Sequence, residues 1–212
     1  MQISCFTVGP FAENTYLLTK GGDALIVDPG FAEESEYNKV KAAIIDGEYT
    51  LKAVVLTHAH VDHVLGLHRV LNDFEVPVFL NDRDRYLWNN FAPQAAMFGF
   101  KEDEFTITPE PLSEQLEWSI GNFTFEIRYT PGHSPDHVSL YSASDEIVLG
   151  GDVLFREGIG RTDLYKGNFE VLKKSIRQQL YSLPDNTTVF PGHGPETTIG
   201  YEKKANPFVK DG

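Results

Sequence analysis

The sequence predicts an α/β or α+β protein, because apolar runs typical of strands alternate with amphipathic runs typical of helices. Two glycine-containing turns, Gly21-Gly22 and Gly121-Asn122, each separate two neighbouring strand-like runs, as in a β-hairpin. In addition, several strand-like runs end at a histidine or an aspartate, and both residue types ligate metal ions. We therefore expect a sheet-containing protein with polar, chemically active side chains at the strand ends.

In the first half of the chain, two helices are predicted among the strands. The segment 33–47 has acidic residues in its first turn and Gly47 past its end, which is typical of a helix. The segment 61–74 has apolar residues at helical spacing and predicts a second, uninterrupted helix. The start of the chain is predicted to be a first strand, and further strands of this half are predicted at 13–19, 24–30, 51–57 and 76–82.

The second half of the chain begins with an irregular region and then returns to strands. Residues 82–114 predict partial helix followed by an acidic loop, and residues 168–183 predict an amphipathic helix. The strands are predicted at 116–130 (a hairpin), 137–143, 145–155 and 187–193. The chain has no low-complexity linker, so we expect a single domain over residues 1–212. Two similar segments, 128–137 and 188–196, each contain Pro-Gly-His and suggest two related halves.

Composition limits the class of protein. The 212 residues are 41% hydrophobic and 23% charged, as in ordinary globular proteins, and no apolar run reaches the roughly 18 residues of a membrane span. The first residues lack the basic and apolar regions of a signal peptide. Cys5 is the only cysteine, so no intrachain disulfide can form, and we expect it to be a small buried side chain. A cytoplasmic location and no membrane partner are expected.

The net charge of −13 also restricts the partners. A negative field repels phosphate backbones, so nucleic acid is disfavoured as a ligand. Basic residues occur in clusters no longer than the pairs Lys173-Lys174 and Lys203-Lys204. A small molecule is therefore the expected partner, and the sequence leaves the oligomeric state open.

The segment Thr-His-Ala-His-Val-Asp-His at 57–63 is the strongest functional signal in the sequence. It follows the apolar run 51–57, and a strand places alternate side chains on the same side, so His58 and His60 are expected to point together. Asp62 and His63 fall at the turn into the next helix and project differently. One short segment can thus supply two ligands to one metal ion and two ligands to a neighbouring ion.

Three more candidate ligands follow strand-like runs: His133, Asp152 and His193. The ends of strands in open α/β sheets meet at one edge, where ligands usually bind. Imidazole and carboxylate groups suit zinc-type ions, and catalytic sites of this type leave a position for water. Seven ligands with one shared carboxylate suit two divalent ions. Zn²⁺ is expected first, with Fe or Mn as alternatives.

Other histidines and aspartates have ordinary structural explanations. His68 lies within a helical pattern, and His137 is expected to bond the backbone or to support a ligand without touching the ion. Asp28, in a Val-Asp-Pro-Gly turn, is expected to form the turn or to support a ligand. Asp152 after Gly150-Gly151 is also a suitable turn residue.

The order His-x-His-x-Asp-His, then His in Pro-Gly-His, Asp in Gly-Gly-Asp, and His in Pro-Gly-His-Gly resembles the metallo-β-lactamase fold superfamily. The resemblance implies an αββα sandwich, in which two mixed β-sheets pack face to face with helices on the outside. It also implies that metal 1 binds His58, His60 and His133, that metal 2 binds Asp62, His63 and His193, and that Asp152 bridges the two ions.

Within that superfamily, the segment 151–168 resembles the glyoxalase II (hydroxyacylglutathione hydrolase) branch and the related persulfide dioxygenases. β-Lactamases of this fold often use cysteine in the second metal set, whereas His63 is present here, so antibiotic hydrolysis is disfavoured. The resemblance implies a thioesterase that acts on S-D-lactoylglutathione or a related hydroxyacyl thioester. About nineteen residues follow His193, so a separate C-terminal glutathione-binding helical domain is not expected.

The residues are expected to share the catalytic work in a defined way. Asp62 would ligate a metal ion and orient the nucleophilic water, while Asp152 would hold the two ions apart. Arg161 would pair with a substrate carboxylate as a planar fork, or else form a salt bridge with Asp163. Alternative activities are a mononuclear-iron persulfide dioxygenase, which needs only two histidines and one carboxylate, or a lactonase or nuclease of the same fold.

Overall fold

The computed structural model describes residues 1–210, which divide into two compact units. The N-terminal unit consists of residues 1–112 and 119–123, and the C-terminal unit consists of residues 113–118 and those from 124 onward. Each unit is built on a six-stranded mixed sheet with helices, which confirms the α/β class. The organisation as one domain stays a prediction.

The N-terminal sheet has its six strands in chain order. The first three pair in antiparallel fashion, and the third to sixth are parallel, which makes the sheet mixed. The strands are β1 Gln2–Val8, β2 Glu13–Lys20, β3 Asp23–Val27, β4 Thr50–Val55, β5 Val78–Leu80 and β6 Glu110–Pro111. Because β3 and β4 are parallel neighbours, their carboxyl ends reach the same edge of the sheet.

Five helices connect the strands of this unit: α1 Glu34–Asp46, α2 Val61–Val64, α3 Leu67–Asp73, α4 Tyr86–Asn89 and α5 Phe91–Met97. The predicted helix at 33–47 is confirmed as α1, which ends at Gly47. Its buried face consists of Tyr37, Val40 and Ile44. Most residues of β2, β3 and β4 are buried, as expected for strands with neighbours on both sides.

The predicted single helix at 61–74 is wrong, because the chain forms α2 and α3 with a break at Leu65-Gly66. The Gly66 amide donates a hydrogen bond to the Pro29 carbonyl at 2.8 Å. The Gly66 Cα also lies against the Phe31 ring, since a Cβ at this position would be 2.2 Å from that ring. A tertiary contact therefore replaces the helical hydrogen bond, and local propensity alone does not reveal it.

The C-terminal sheet has the order β14-β13-β10-β9-β8-β7. Its strands are β7 Gln115–Ile120, β8 Phe123–Tyr129, β9 Val138–Ser142, β10 Ile147–Gly151, β13 Thr188–Pro191 and β14 Thr197–Thr198. Strands β10 and β13 are parallel, whereas β9 is antiparallel to both β8 and β10. The predicted hairpin with a turn at Gly121-Asn122 is confirmed as β7–β8.

Three segments of the C-terminal unit differ from the prediction. The run 145–155 is two strands, because Gly151 adopts a φ of +50° and the chain leaves the sheet after β10. It then forms a separate hairpin of β11 Leu154–Phe155 and β12 Gly158–Ile159. The predicted helix at 168–183 is α6 Phe169–Ser175, continued by the π-helical turn Ile176–Leu180. The last helix, α7 Ile199–Ala205, was not predicted.

Two further expectations are corrected by the structure. Both Pro-Gly-His segments belong to the C-terminal unit, after β8 and after β13, so they do not mark two related halves of the chain. Cys5 is exposed and not buried, because it lies on β1, at the edge of the N-terminal sheet. Within residues 1–210, no helix is both long enough and apolar enough to cross a membrane.

Candidate metal centre

The N-terminal unit gathers four of the predicted ligands within seven residues. After β4, the chain continues through Thr57 to His58 and His60, and α2 carries Asp62 and His63. The ring centroids of His58 and His60 are 4.7 Å apart, and those of His58 and His63 are 4.2 Å apart. The Asp62 Oδ2 atom lies 3.9 Å from His63 Nε2. The three imidazoles are buried, and the Asp62 carboxylate is partly exposed.

The carboxylate of Asp28, at the end of β3, orients this segment. Asp28 Oδ1 accepts a hydrogen bond from the Thr57 amide at 2.7 Å, and Oδ2 accepts one from the Thr57 hydroxyl at 2.6 Å. His63 Nδ1 lies 3.1 Å from Asp28 Oδ2 and donates to it, because a carboxylate oxygen only accepts. The prediction that Asp28 supports the ligands or forms the turn agrees with these contacts.

The hydrogen bonds show which ring nitrogen of His58 and of His63 carries the proton. The Thr57 hydroxyl donates to Asp28, so its oxygen accepts from His58 Nδ1 at 3.0 Å. His58 and His63 therefore both carry their proton on Nδ1. Metal-ligating histidines commonly donate one ring N–H to a carboxylate or another oxygen and use the other nitrogen for the ion. Nε2 is thus the nitrogen that each of the two residues would offer to an ion.

Glu13, at the start of β2, is a buried carboxyl that sequence analysis missed. Its Oε1 atom lies 3.9 Å from His63 Nδ1, and its Oε2 atom accepts a hydrogen bond from the Thr15 hydroxyl at 2.8 Å. Burial raises the pKa of Glu13 well above its usual range; His63 opposes this shift and the charge of Asp28 adds to it. A glutamate at the first position of a strand-like run usually indicates a solvated position, so the sequence carries no signal for this contact.

The C-terminal unit gathers the other three predicted ligands. His133 follows β8, Asp152 follows β10 and His193 follows β13. The Asp152 Oδ2 atom lies 3.5 Å from His133 Nε2 and 3.5 Å from His193 Nε2. Two ligand atoms on one tetrahedral zinc-type ion, each at about 2.1 Å from it, would be about 3.4 Å apart. The donor types and their spacing therefore fit a metal centre.

Two backbone groups fix the orientation of these ligands. His133 Nδ1 donates to the Arg161 carbonyl at 2.8 Å, so Nε2 is the nitrogen that His133 would offer to an ion. The Asp152 amide donates to His137 Nε2 at 3.0 Å, so the proton of His137 is on Nδ1, which donates to the Thr130 hydroxyl at 2.9 Å. His137 thus supports Asp152 through the backbone, as the sequence indicated.

The remaining predicted residues lie outside the ligand set. The Arg161 side chain is exposed, and its Nε and Nη2 atoms bond the two carboxylate oxygens of Asp163 at 2.7 and 2.8 Å. This bond to Arg161 lowers the pKa of Asp163 to about 2. The salt-bridge alternative for Arg161 is therefore present in the structure. His68 packs against Phe105, with ring centroids 4.5 Å apart and the rings tilted by 33°, and its Nε2 atom bonds the Asp103 carbonyl at 3.0 Å, in agreement with a structural role.

Comparison with known proteins places this chain in a family. The family model of the metallo-β-lactamase superfamily matches residues 8–193. The chain belongs to the metallo-β-lactamase superfamily. It is accordingly a metallo-hydrolase of that superfamily, which confirms the resemblance inferred from the sequence.

Two relatives cover nearly the whole chain. A probable metallo-hydrolase, YqgX, of Bacillus subtilis is 40% identical over 207 residues, which are 95% of this chain and 94% of that protein. Hydroxyacylglutathione hydrolase GloC of Haemophilus influenzae is 34% identical over 212 residues, which are 99% of this chain and 98% of that protein. This metallo-β-lactamase superfamily member therefore matches both relatives over almost their full length.

Two solved structures share the fold and much of the sequence. BLEG-1, described as a B3 metallo-β-lactamase, is 35% identical and matches 98% of this chain and 99% of its own, with a TM-score of 0.87. TTHA1623 in a di-iron-bound form is 36% identical and matches 97% of this chain and 100% of its own, with a TM-score of 0.86. The likeness confirms the predicted sandwich fold class of the superfamily, and iron in TTHA1623 leaves the identity of the metal here open.

Replacement of Asp28 by Asn is expected to weaken metal binding about 10–100-fold, because the amide is a poorer acceptor for His63 Nδ1 and for Thr57. Competition between the protein and a chromophoric chelator for Zn²⁺ measures the change. Asp73→Asn is the matched control, since the Asp73 carboxylate bonds Tyr37 and Lys41, neither of which is a candidate ligand. Wild-type affinity in the Asp28→Asn variant would contradict the orienting role.

Proposed function

We propose that this metallo-hydrolase is a thioesterase that acts on S-D-lactoylglutathione or a related hydroxyacyl thioester. The observation that carries the proposal is the 34% identity to hydroxyacylglutathione hydrolase GloC over 98% of that protein. The segment around Arg161, which resembles the glyoxalase II branch, adds support. A small-molecule thioester would be the partner, and neither nucleic acid nor membrane is required.

The proposal includes a site for two divalent ions, with Zn²⁺ first and Fe or Mn as alternatives. His58, His60 and His133 would hold one ion, Asp62, His63 and His193 would hold the other, and Asp152 would be shared. The imidazole and carboxylate donors suit all three metals. Divalent ions held in this way would lower the pKa of a bound water to about 7, which would supply hydroxide at neutral pH.

Two aspartates of the protein, Asp62 and Asp152, would then position the attacking water and the ions. Asp62, whose carboxylate is partly exposed, would accept a hydrogen bond from the attacking water at an Oδ atom and so orient it. Asp152 is held by His137 through its backbone amide, which keeps its carboxylate in place. A protein nucleophile is not required. Cys5, the only cysteine of the sequence, lies on the edge strand β1.

Local charge supports an anionic substrate. The chain has a net charge of −13, yet residues 156–177 contain six basic and only three acidic side chains. This segment includes Arg161 and follows Asp152 closely along the chain. A locally positive segment in an acidic protein raises the concentration of anions near it. A thioester that carries carboxylates therefore suits this part of the protein better than a neutral ester.

The metal-loaded protein is expected to hydrolyse S-D-lactoylglutathione, and removal of metal with a chelator is expected to abolish the activity. Asp152→Ala is the inactive control, because it removes the shared ligand. A chromogenic β-lactam belongs in the same assay panel, since BLEG-1 is described as a β-lactamase. Hydrolysis of the β-lactam alone, or no hydrolysis of any thioester by the fully loaded protein, would refute the proposal.

Oxygen uptake with glutathione persulfide and one iron per chain would support the dioxygenase alternative.

The Arg161–Asp163 pair gives a second test, of substrate recognition. If Arg161 exchanges Asp163 for a substrate carboxylate, Arg161→Ala raises KM about tenfold, in line with the loss of one charge-assisted hydrogen bond. Asp163→Asn then lowers KM, because Arg161 no longer has to break an ion pair with Asp163 before it binds the substrate carboxylate. Arg156→Ala, an exposed arginine five residues earlier, is the control. Unchanged KM values in both variants would assign the pair a purely structural role.

A further inference from the structure

The C-terminal helix α7 carries a buried carboxylate, Glu202, which is not one of the predicted metal ligands. Glu202 is fully buried. Its Oε2 atom accepts hydrogen bonds from the Glu157 amide at 3.0 Å and from Asn206 Nδ2 at 2.9 Å, and Oε1 accepts one from the Thr197 hydroxyl at 2.5 Å. A buried carboxylate is costly unless it is hydrogen-bonded, so these three donors offset the cost of its burial.

The contacts of Glu202 connect α7 to the β11–β12 hairpin. Glu157 lies in the turn of that hairpin and adopts a φ of +56°. Two more bonds make the same connection: Asn206 Nδ2 donates to the Gly158 carbonyl at 3.0 Å, and the Tyr201 hydroxyl donates to the Glu157 carboxylate. The turn of the hairpin is therefore held by two side chains of α7, Tyr201 and Glu202, and by Asn206, which directly follows the helix; Glu202 and Asn206 are fully buried.

The hairpin in turn connects two parts of the metal centre. It begins two residues after Asp152 and ends two residues before Arg161, whose carbonyl accepts the hydrogen bond from His133 Nδ1. After the hairpin, the backbone at Gly160 packs closely against Asp152. A Cβ at Gly160 would be 1.9 Å from the Asp152 carbonyl oxygen and 3.1 Å from His133 Nδ1. The position of the Arg161 carbonyl thus depends on how the hairpin is held relative to Asp152.

We propose that Glu202 is a positioning residue of the metal centre: it holds the β11–β12 hairpin from α7, and so places the Arg161 carbonyl that orients His133. The inference rests on metal binding by His133 and Asp152 within the proposed function. It assigns a role in the reaction to a helix that contains none of the predicted ligands. Partners that orient a ligating histidine commonly change metal affinity about 10–100-fold when they are removed.

A role confined to general stability would have a different signature. Lys203 is the neighbouring residue on α7, and its Nζ atom bonds Asp185 Oδ1 at 2.6 Å, away from the hairpin. Lys203→Ala removes a contact of the same helix without touching Glu157 or Gly158. The variant Glu202→Gln keeps the network, because its oxygen still accepts from Glu157 and Asn206 while its amide donates to the Thr197 hydroxyl. Glu202→Ala removes all three hydrogen bonds.

The experiment measures the Zn²⁺ affinity of the full chain by chelator competition, without substrate, together with the denaturation midpoint of each variant. Glu202→Ala is expected to bind Zn²⁺ at least tenfold more weakly, whereas Glu202→Gln and Lys203→Ala are expected to stay within about threefold of wild type. Nitrogen-15 NMR supplies a second readout: the Nδ1–H signal assigned to His133 is expected to broaden or disappear in Glu202→Ala and to persist in Glu202→Gln.

Wild-type affinity and an unchanged His133 signal in Glu202→Ala would overturn the proposal. An equal loss of affinity in Lys203→Ala would also overturn it, because the effect would then follow the stability of α7. If Glu202→Ala does not fold, Thr197→Val removes one bond to Glu202, and a smaller loss of affinity is expected. Because the measurement uses the metal alone, it is independent of thioesterase activity: an inactive wild-type protein would refute the proposed function and leave the role of Glu202 intact.

Discussion

The arrangement of the N-terminal ligands depends on the buried carboxylate of Asp28. This residue is only 2% exposed, and burial of its carboxylate would be costly without hydrogen-bond donors. It receives three hydrogen bonds, two from Thr57 and one from His63. Because β3 and β4 are parallel neighbours, the carboxylate at the end of one strand meets the ligand segment at the end of the other. The Asp28 side chain therefore fixes the backbone at Thr57, the ring of His63 directly and the ring of His58 through the Thr57 hydroxyl.

In the C-terminal unit, too, a pair of parallel strands carries candidate ligands at its carboxyl ends. Strands β10 and β13 are also parallel neighbours, with Asp152 after the first and His193 after the second. In the N-terminal unit the aspartate orients the ligands, whereas in the C-terminal unit the aspartate is itself a candidate ligand and its own backbone is held by His137. The two units therefore resemble each other in their parallel strand pairs. The repeated Pro-Gly-His segments are not such a resemblance, because both lie in the C-terminal unit.

The sequence was informative where function depends on residue type and spacing. The cluster at 57–63 and the isolated histidines and aspartate after later strands identified the candidate ligands, because few structural needs explain such residues at strand ends. The break at Gly66 was not predictable, since it results from a hydrogen bond to Pro29, which is distant in sequence. Glu13 and Glu202 were missed for a related reason: glutamate is usually exposed, and only the folded chain shows their burial.

The two-metal centre can be tested by anomalous X-ray diffraction from crystals of the metal-loaded protein, recorded at the absorption edge of the bound metal. We expect two metal peaks per chain, with the carboxylate of Asp152 at both, and with His58 and His63 coordinated through Nε2. A single peak that lacks Asp62 and His63 as ligands would contradict it, as would coordination of His63 through Nδ1, because the hydrogen bond to Asp28 would then not exist in the working protein.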